Sequence, residues 1–282
     1  MRLASFYHAG RASWGTVNGD AVFDAGAVLS STLPTLKSLL ATEHYAVLPG
    51  ALREAPRVPL TEIRWLPVVP LPGKIICVGV NYEEHRQETG RAAVAYPTLF
   101  ARYASSQTGH RQNITQPKSS IELDFEGELA VIIGRAGRYI KKSDAMAHIA
   151  GFACYNDVTV RDFQRHTSQF TPGKNFDGTG AFGPWMVTPD EMGVIGPQRL
   201  QTRLNGQVVQ QAQLDQMIFD IPAQIEYISM FTQLEPGDVI VTGTPGGVGA
   251  RRTPPLWMKP GDVVEVEIEN VGVLRNQVIA EV

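Results

Sequence analysis

The chain has 282 residues, 43% hydrophobic and 19% charged, with a formal net charge of -3. That much apolar material can fill a sizeable core, and the slightly acidic balance offers no basic stripe to nucleic acid or an anionic membrane. No apolar run nears the roughly 20 residues of a bilayer span, and the opening MRLASFYHAG lacks the apolar stretch of a secretory signal, so a cytoplasmic protein is expected. Cys77 and Cys154 each sit in an apolar stretch and are expected to be reduced.

In chain order, RLASFYHA and RASWGTVNGDAVFDAG read as short strands with a hairpin at Asn18-Gly19, followed by a helical patch TLPTLKSLLATE. Pro56, Pro59, Pro67, Pro70 and Pro72 then favour extended backbone and mark a junction. The predicted organisation is a small α+β unit over 1–70 and a main domain over 71–282. The main domain is dominated by strand-like runs: KIICVGV, ELAVIIG, IAGFACYND, AFGPWMVT, TRLNGQVVQ, DVIVTGT and DVVEVEIENVGVLRNQVIAEV. Helical patterns are fewer, chiefly YEEHRQETG, SDAMAHIA and MIFDIPAQIEYISMF. The fold class is α+β and β-rich, without regular βα alternation.

The stretch IELDFEGELAVIIG places acids at Glu122, Asp124, Glu126 and Glu128, every second position. On a strand, residues i and i+2 share a face about 7 Å apart, so Glu126 and Glu128 can converge above Gly127. A hard divalent cation would relieve their repulsion; the same pattern equally describes the solvated face of an amphipathic strand. Asp157 ends a buried-looking run and could add a third carboxylate or serve as a turn residue, with Asp162 close behind. In VGVNYEEHRQETG, His85 and Glu88 at helical i, i+3 spacing can meet, with the carboxylate orienting the imidazole as in a general base. Such pairs also occur on ordinary surface helices. Lys174, in the glycine-rich and aromatic QFTPGKNFDGTG, is either an oxyanion stabiliser or a loop lysine. VIVTGTPGGVGARR is a strand leading to a loop of small residues, but its spacing does not fit G-x-G-x-x-G, which argues against dinucleotide binding. His148 and His166 stand singly and read as structural or surface residues.

Taken in order, KIICVGVNYEEH, DFEGELAVIIG, YNDVTVRD, GKNFD, GPWMVT, MIFDI, VTGTPGGVG and KPGDVVEVEIE resemble the fumarylacetoacetate hydrolase family, in particular its bacterial acylpyruvase-like and 2-hydroxyhepta-2,4-diene-1,7-dioate isomerase-like members. The resemblance runs from about Gly73 to near the C-terminus. It implies that family's mixed β-sheet roll with few helices, and a divalent cation (Mg2+, or else Mn2+ or Ca2+) on Glu126, Glu128 and Asp157. It further implies a water-activating dyad of His85 and Glu88, with Lys174 beside the substrate. Tyr82, Arg102, Thr244, Pro245 and Gly246 would contact the substrate, a small 2-oxo acid, and the protein would be a homodimer. The implied reaction is metal-dependent cleavage of a carbon–carbon bond in a 2,4-dioxo acid of the acylpyruvate type, giving pyruvate or a related 2-oxo acid and a carboxylic acid. The same site would serve a 2-oxo acid decarboxylase or an isomerase of a 2-hydroxymuconate-type dienoate. A non-catalytic scaffold would have no use for the dyad. Two departures, FDGTGAFGP after the lysine and Arg102 in LFAR where many members carry lysine, bear on the distal half of the substrate. The segment YEEHRQETGRAAVAY is expected to close over a bound ligand.

Overall fold

The computed structural model describes residues 1–42, 45 and 47–282. Two large sheets organise it, beside a two-stranded ladder of Leu123–Asp124 with Thr159–Val160. A 12-stranded sheet has at its centre the strands Gly127–Ile133 and Ile149–Asp157, flanked by Val239–Val241 and Ile75–Gly79 on one side and by Gly180–Val187 on the other. The central strands are apolar almost throughout, as expected of strands covered on both faces. Leu129, Val131 and Ile133 point toward a second, five-stranded sheet and pack with its Leu200, Val264, Val266, Ile268 and Leu274. The alternate residues Ala130 and Ile132 face the other way, joining Cys77, Tyr155, Val239 and Val241. Gly127 faces the five-stranded sheet, where a Cβ would lie 2.1 Å from Thr202 Oγ1, so only glycine lets the layers approach this closely.

The first seventy residues extend the same sheet. Arg2–His8 pairs antiparallel with Gly180–Val187, and Arg11–Asn18, Ala21–Phe23 and Arg57–Pro59 follow outward. The hairpin falls one residue later than predicted: Asn18 pairs with Ala21, so Gly19 (φ +59) and Asp20 form the loop. The predicted helical patch narrows to Leu36–Leu40, capped by Thr35, while Glu43 lies outside the described residues. SDAMAHIA shortens to a 3-10 turn over Ala145–His148, because Ile149 already begins a strand. The helix Ile221–Phe231 starts later than its apolar pattern, at Asp220, whose side chain accepts from the Ala223 amide. Both cysteines are free and buried, and among the described residues no helix is long and apolar enough to cross a membrane.

Candidate metal and proton-transfer site

Strand polarity gathers the chemistry at one sheet edge. Ile75–Gly79 and Val239–Val241 run parallel and both end there. Gly127–Ile133, antiparallel to Val239–Val241, begins there, and Ile149–Asp157, antiparallel to Gly127–Ile133, ends there. The register of the latter pair sets Gly127 opposite Asn156 and Glu128 opposite Tyr155. One step further, the Asp157 amide donates to the Glu126 carbonyl at 2.9 Å. Glu126 and Asp157 are thus cross-strand neighbours, and Glu128 shares their face two residues along. Glu126, Glu128 and Asp157 can each place a carboxylate oxygen within 4.8 Å of the other two, all buried.

The four alternating acids do not form one solvated face. Pairing breaks between Leu123–Asp124 and Gly127–Ile133, and Asp124, Glu126 and Glu128 are all buried. Only Glu122 reaches the surface region, bound to Arg165. Asp124 accepts from Arg161 Nε at 2.8 Å and from the Gly249 and Ala250 amides at 2.8 and 3.0 Å. Arg161 also reaches Glu126 Oε1 at 2.6 Å. The Lys174 ammonium lies 2.7 Å from Glu126 Oε2 and 2.6 Å from Asp157 Oδ2, and Arg102 Nη1 donates to Asp157 Oδ1.

Each carboxylate feels a different balance. Burial raises the proton affinity of Glu126, but Lys174 and Arg161 outweigh it and hold the carboxyl down at about 2. Glu128 makes no ion pair among the described residues; it accepts from the Gly243 amide at 2.5 Å, and Lys174 acts on it only at longer range. Burial, with Asp157 and Glu126 nearby, pushes it well above the carboxylate range. Four buried carboxylates (Asp124, Glu126, Glu128, Asp157) meet three buried fixed cations, Arg102, Arg161 and Lys174. A divalent cation fits this donor set. Oxygens within 4.8 Å can share an ion at roughly 2.0 to 2.6 Å each, and carboxylate oxygens paired to Lys174 or Arg102 keep a second lone pair. Glu128, without an ion pair among the described residues, would give up its proton to bind the ion.

The predicted dyad is formed on the short helix Glu83–Glu88, which starts where Ile75–Gly79 ends. His85 Nδ1 and Glu88 Oε1 are 2.6 Å apart, and Glu88 Oε2 accepts from the Gly247 amide at 2.9 Å. Burial would raise Glu88, yet His85 and the backbone amides bring it below its ordinary value. With Nδ1 engaged, Nε2 is the nitrogen left for proton transfer. A cavity of about 550 Å³ opens over the edge, lined among others by His85, Glu126, Glu128, Lys174 and Thr244.

Other predicted contacts lie elsewhere. Arg102 does not line the cavity; its guanidinium is sealed between Asp157, the Val158 carbonyl and Thr179, so it braces a carboxylate. Tyr82 is 2% exposed in the core, and Pro245 and Gly246 also stand outside the lining, Gly246 being packed against Glu84. Asp162 accepts from Ser120 at 2.8 Å, away from the cluster. His148 and His166 take no part: one faces the Arg135 carbonyl, the other packs on Phe163. Sequence reasoning passed over Arg161, although it stands four residues beyond Asp157 in the quoted YNDVTVRD, and did not single out the Asp124 brace. It also missed the outer wall, with Arg91, Phe100, Phe170 and Arg251. Arg91 lies over the Phe170 ring at 5.0 Å, linking the segment after the dyad helix to the one before Lys174.

A mixed β-roll carrying a buried carboxylate triad and a His–Glu pair over one cavity has the make-up of an enzyme site. Residues 74–279 match the Fumarylacetoacetate (FAA) hydrolase C-terminal family, and the chain belongs to that family and is an enzyme. It is 40% identical over 268 residues to the oxaloacetate tautomerase FAHD2A, mitochondrial, of Bos taurus, covering 93% of this chain and 85% of the relative. The fumarylacetoacetate hydrolase of psychrophilic Exiguobacterium antarcticum superposes with a TM-score of 0.87 at 35% identity, each chain covered in full. The maleylpyruvate hydrolase of Sphingobium sp. SYK-6, in complex with manganese(II) ion and pyruvate, does so with a TM-score of 0.83 at 28% identity, again over the whole of both chains.

Proposed function

We propose that the protein is a divalent-cation-dependent tautomerase of a 2-oxo dicarboxylic acid of the oxaloacetate type. The observation that carries this reading is that one cavity is lined both by the dyad imidazole and by the carboxylates Glu126 and Glu128, so a proton acceptor faces the place where a 2-oxo acid would be held. The similarity to an oxaloacetate tautomerase over 93% of the chain supports the choice of substrate.

Glu126, Glu128 and Asp157 would hold the cation. When bound, it would supply Lewis-acid stabilisation of the negative charge that builds on the keto oxygen during enolisation. In the keto-to-enol direction His85 Nε2 takes the proton from the carbon next to the keto group, the electron pair moves to the keto oxygen, and that oxygen takes up a proton from solvent. In the reverse direction the enol oxygen loses its proton and the imidazolium protonates the carbon, with Glu88 stabilising the imidazolium in both. The Gly247 amide keeps Glu88 aimed at His85. Lys174 adds positive charge to the cavity floor.

A second reading is the hydrolysis of an acylpyruvate, in which the same imidazole takes its proton from water. The room in the cavity favours it, since about 550 Å³ accommodates more than a four-carbon acid. The test is product analysis on oxaloacetate and on a panel of acylpyruvates with added manganese or magnesium. Faster enol–keto exchange of oxaloacetate without new carbon fragments or carbon dioxide supports tautomerisation. Release of pyruvate and an acid from an acylpyruvate supports hydrolysis, and loss of carbon dioxide would point to decarboxylation.

A further inference from the structure

Five cationic side chains line the cavity, and they are committed to different degrees. Lys174 and Arg161 belong to the carboxylate floor. Arg165 is paired with Glu122, and Arg91 lies over the Phe170 ring. Arg251 is exposed and makes no side-chain hydrogen bond or ion pair with any described residue.

Its backbone, by contrast, is fixed. Arg251 ends the 3-10 turn Gly249–Arg251, whose Gly249 and Ala250 amides both donate to Asp124. Asp124 is held by Arg161, which grips Glu126. The turn is also tied to the following segment, where the Leu256 amide donates to the Gly249 carbonyl at 3.0 Å. A short chain of two amide hydrogen bonds and two ion pairs therefore connects the base of Arg251 to a carboxylate of the cavity floor. Arg91 has no comparable brace: its segment is exposed from Gly90 to Tyr96, and its backbone bonds run only to Arg86.

A substrate whose 2-oxo acid end sits on the floor needs a cationic partner for any anionic group at its far end. An unpaired guanidinium suits a carboxylate, which it can bind through two parallel hydrogen bonds. We propose that Arg251 is the residue that selects a second, distal carboxylate on the substrate, making the site specific for 2-oxo dicarboxylates over 2-oxo monocarboxylates. This rests on the enolisation reading given above for the kind of acid bound at the floor.

The experiment compares the manganese-loaded parent with Arg251→Gln, Arg251→Lys and Arg91→Gln, after checking that all four melt alike. One arm measures enolisation of oxaloacetate against 2-oxobutyrate. The other measures binding of 3,3-difluorooxaloacetate, which has no C3 proton to lose, against oxamate, a monoacid of similar head group. For Arg251→Gln, the preference for oxaloacetate should fall about 10- to 100-fold, carried by KM, with a similar fall in the ratio of the two affinities. Arg251→Lys should recover part of it. An unchanged preference in Arg251→Gln, or its loss in Arg91→Gln alone, overturns the assignment while leaving the enolase-type chemistry intact. A parent that enolises neither acid defeats the catalytic reading, and the binding arm then decides on Arg251: a dicarboxylate preference lost in Arg251→Gln upholds the role, and none in the parent removes it.

Discussion

The ammonium of Lys174 stands 2.7 Å from Oε2 of Glu126, so a carboxylate assigned to a metal ion already holds a cation of the protein's own. Lys174 also binds Asp157 at 2.6 Å. Removing one member of a buried ion pair leaves a bare charge, at a cost of about 3–5 kcal/mol. Lys174→Met should therefore melt well below the parent in chelator. Added manganese should raise its Tm by more than it raises the parent's, because the ion restores the missing positive charge. Equal metal-induced shifts in the two proteins would contradict this account of the floor.

Glu128 should behave in the opposite way. Burial beside Asp157 and Glu126 opposes its ionisation, and among the described residues its one hydrogen-bond donor is the Gly243 amide. Glu128→Gln keeps an acceptor for that amide and removes a carboxyl whose ionisation the site opposes. The metal-free variant should be more stable than the parent by about 1–3 kcal/mol, and manganese should stabilise it far less. Denaturant unfolding with and without metal reads both effects. A metal-free variant less stable than the parent would show that Glu128 is compensated by something else.

For the dyad, His85→Gln should lower kcat by about 10²–10⁴-fold while leaving the metal content intact. Glu88→Gln should cost less, since it removes the orienting charge and not the proton acceptor. Elemental analysis beside steady-state kinetics separates these outcomes from metal loss. Parent-like turnover by His85→Gln would move the proton transfer to another group.

A pH effect is expected away from the site. His110 is buried against Trp65, its Nδ1 accepts the Arg275 amide at 3.1 Å, and burial with Arg111 and Arg275 nearby lowers its pKa to about 4. An unfolded histidine titrates near 6.5. Because the folded value lies below the unfolded one, the unfolded chain binds the extra proton first. The stabilising contribution is complete above about pH 6.5 and is lost as pH falls toward 4, by about 3 kcal/mol in total. His110→Asn should flatten this part of the stability profile, and a profile of unchanged slope would locate the proton uptake in other groups.

Part of the site could be read directly because it depends on local periodicity. Glu126 and Glu128 follow from the two-residue period of a strand, and His85 with Glu88 from the spacing of a helix. Asp157 faces Glu126 only through the register of two strands about thirty residues apart, which no local pattern encodes. Arg161 and Arg102 look like surface arginines in sequence, and become buried braces only once the sheet brings carboxylates over them. The alternating acids were ambiguous for a related reason. Alternation reports shared faces, while burial depends on what the second layer covers. The strand runs of the main domain were legible from their apolar content, whereas the joining of residues 2–8 to residues 180–187 needed the whole sheet.

The most direct test of the central claim follows the ultraviolet absorbance of enol oxaloacetate as it converts to the keto form. The protein is assayed with manganese, after chelation, and after manganese is restored. The account predicts acceleration that disappears with chelator, returns with the ion, and is lost in Glu126→Gln. Acceleration indifferent to the chelator and to Glu126→Gln would contradict it.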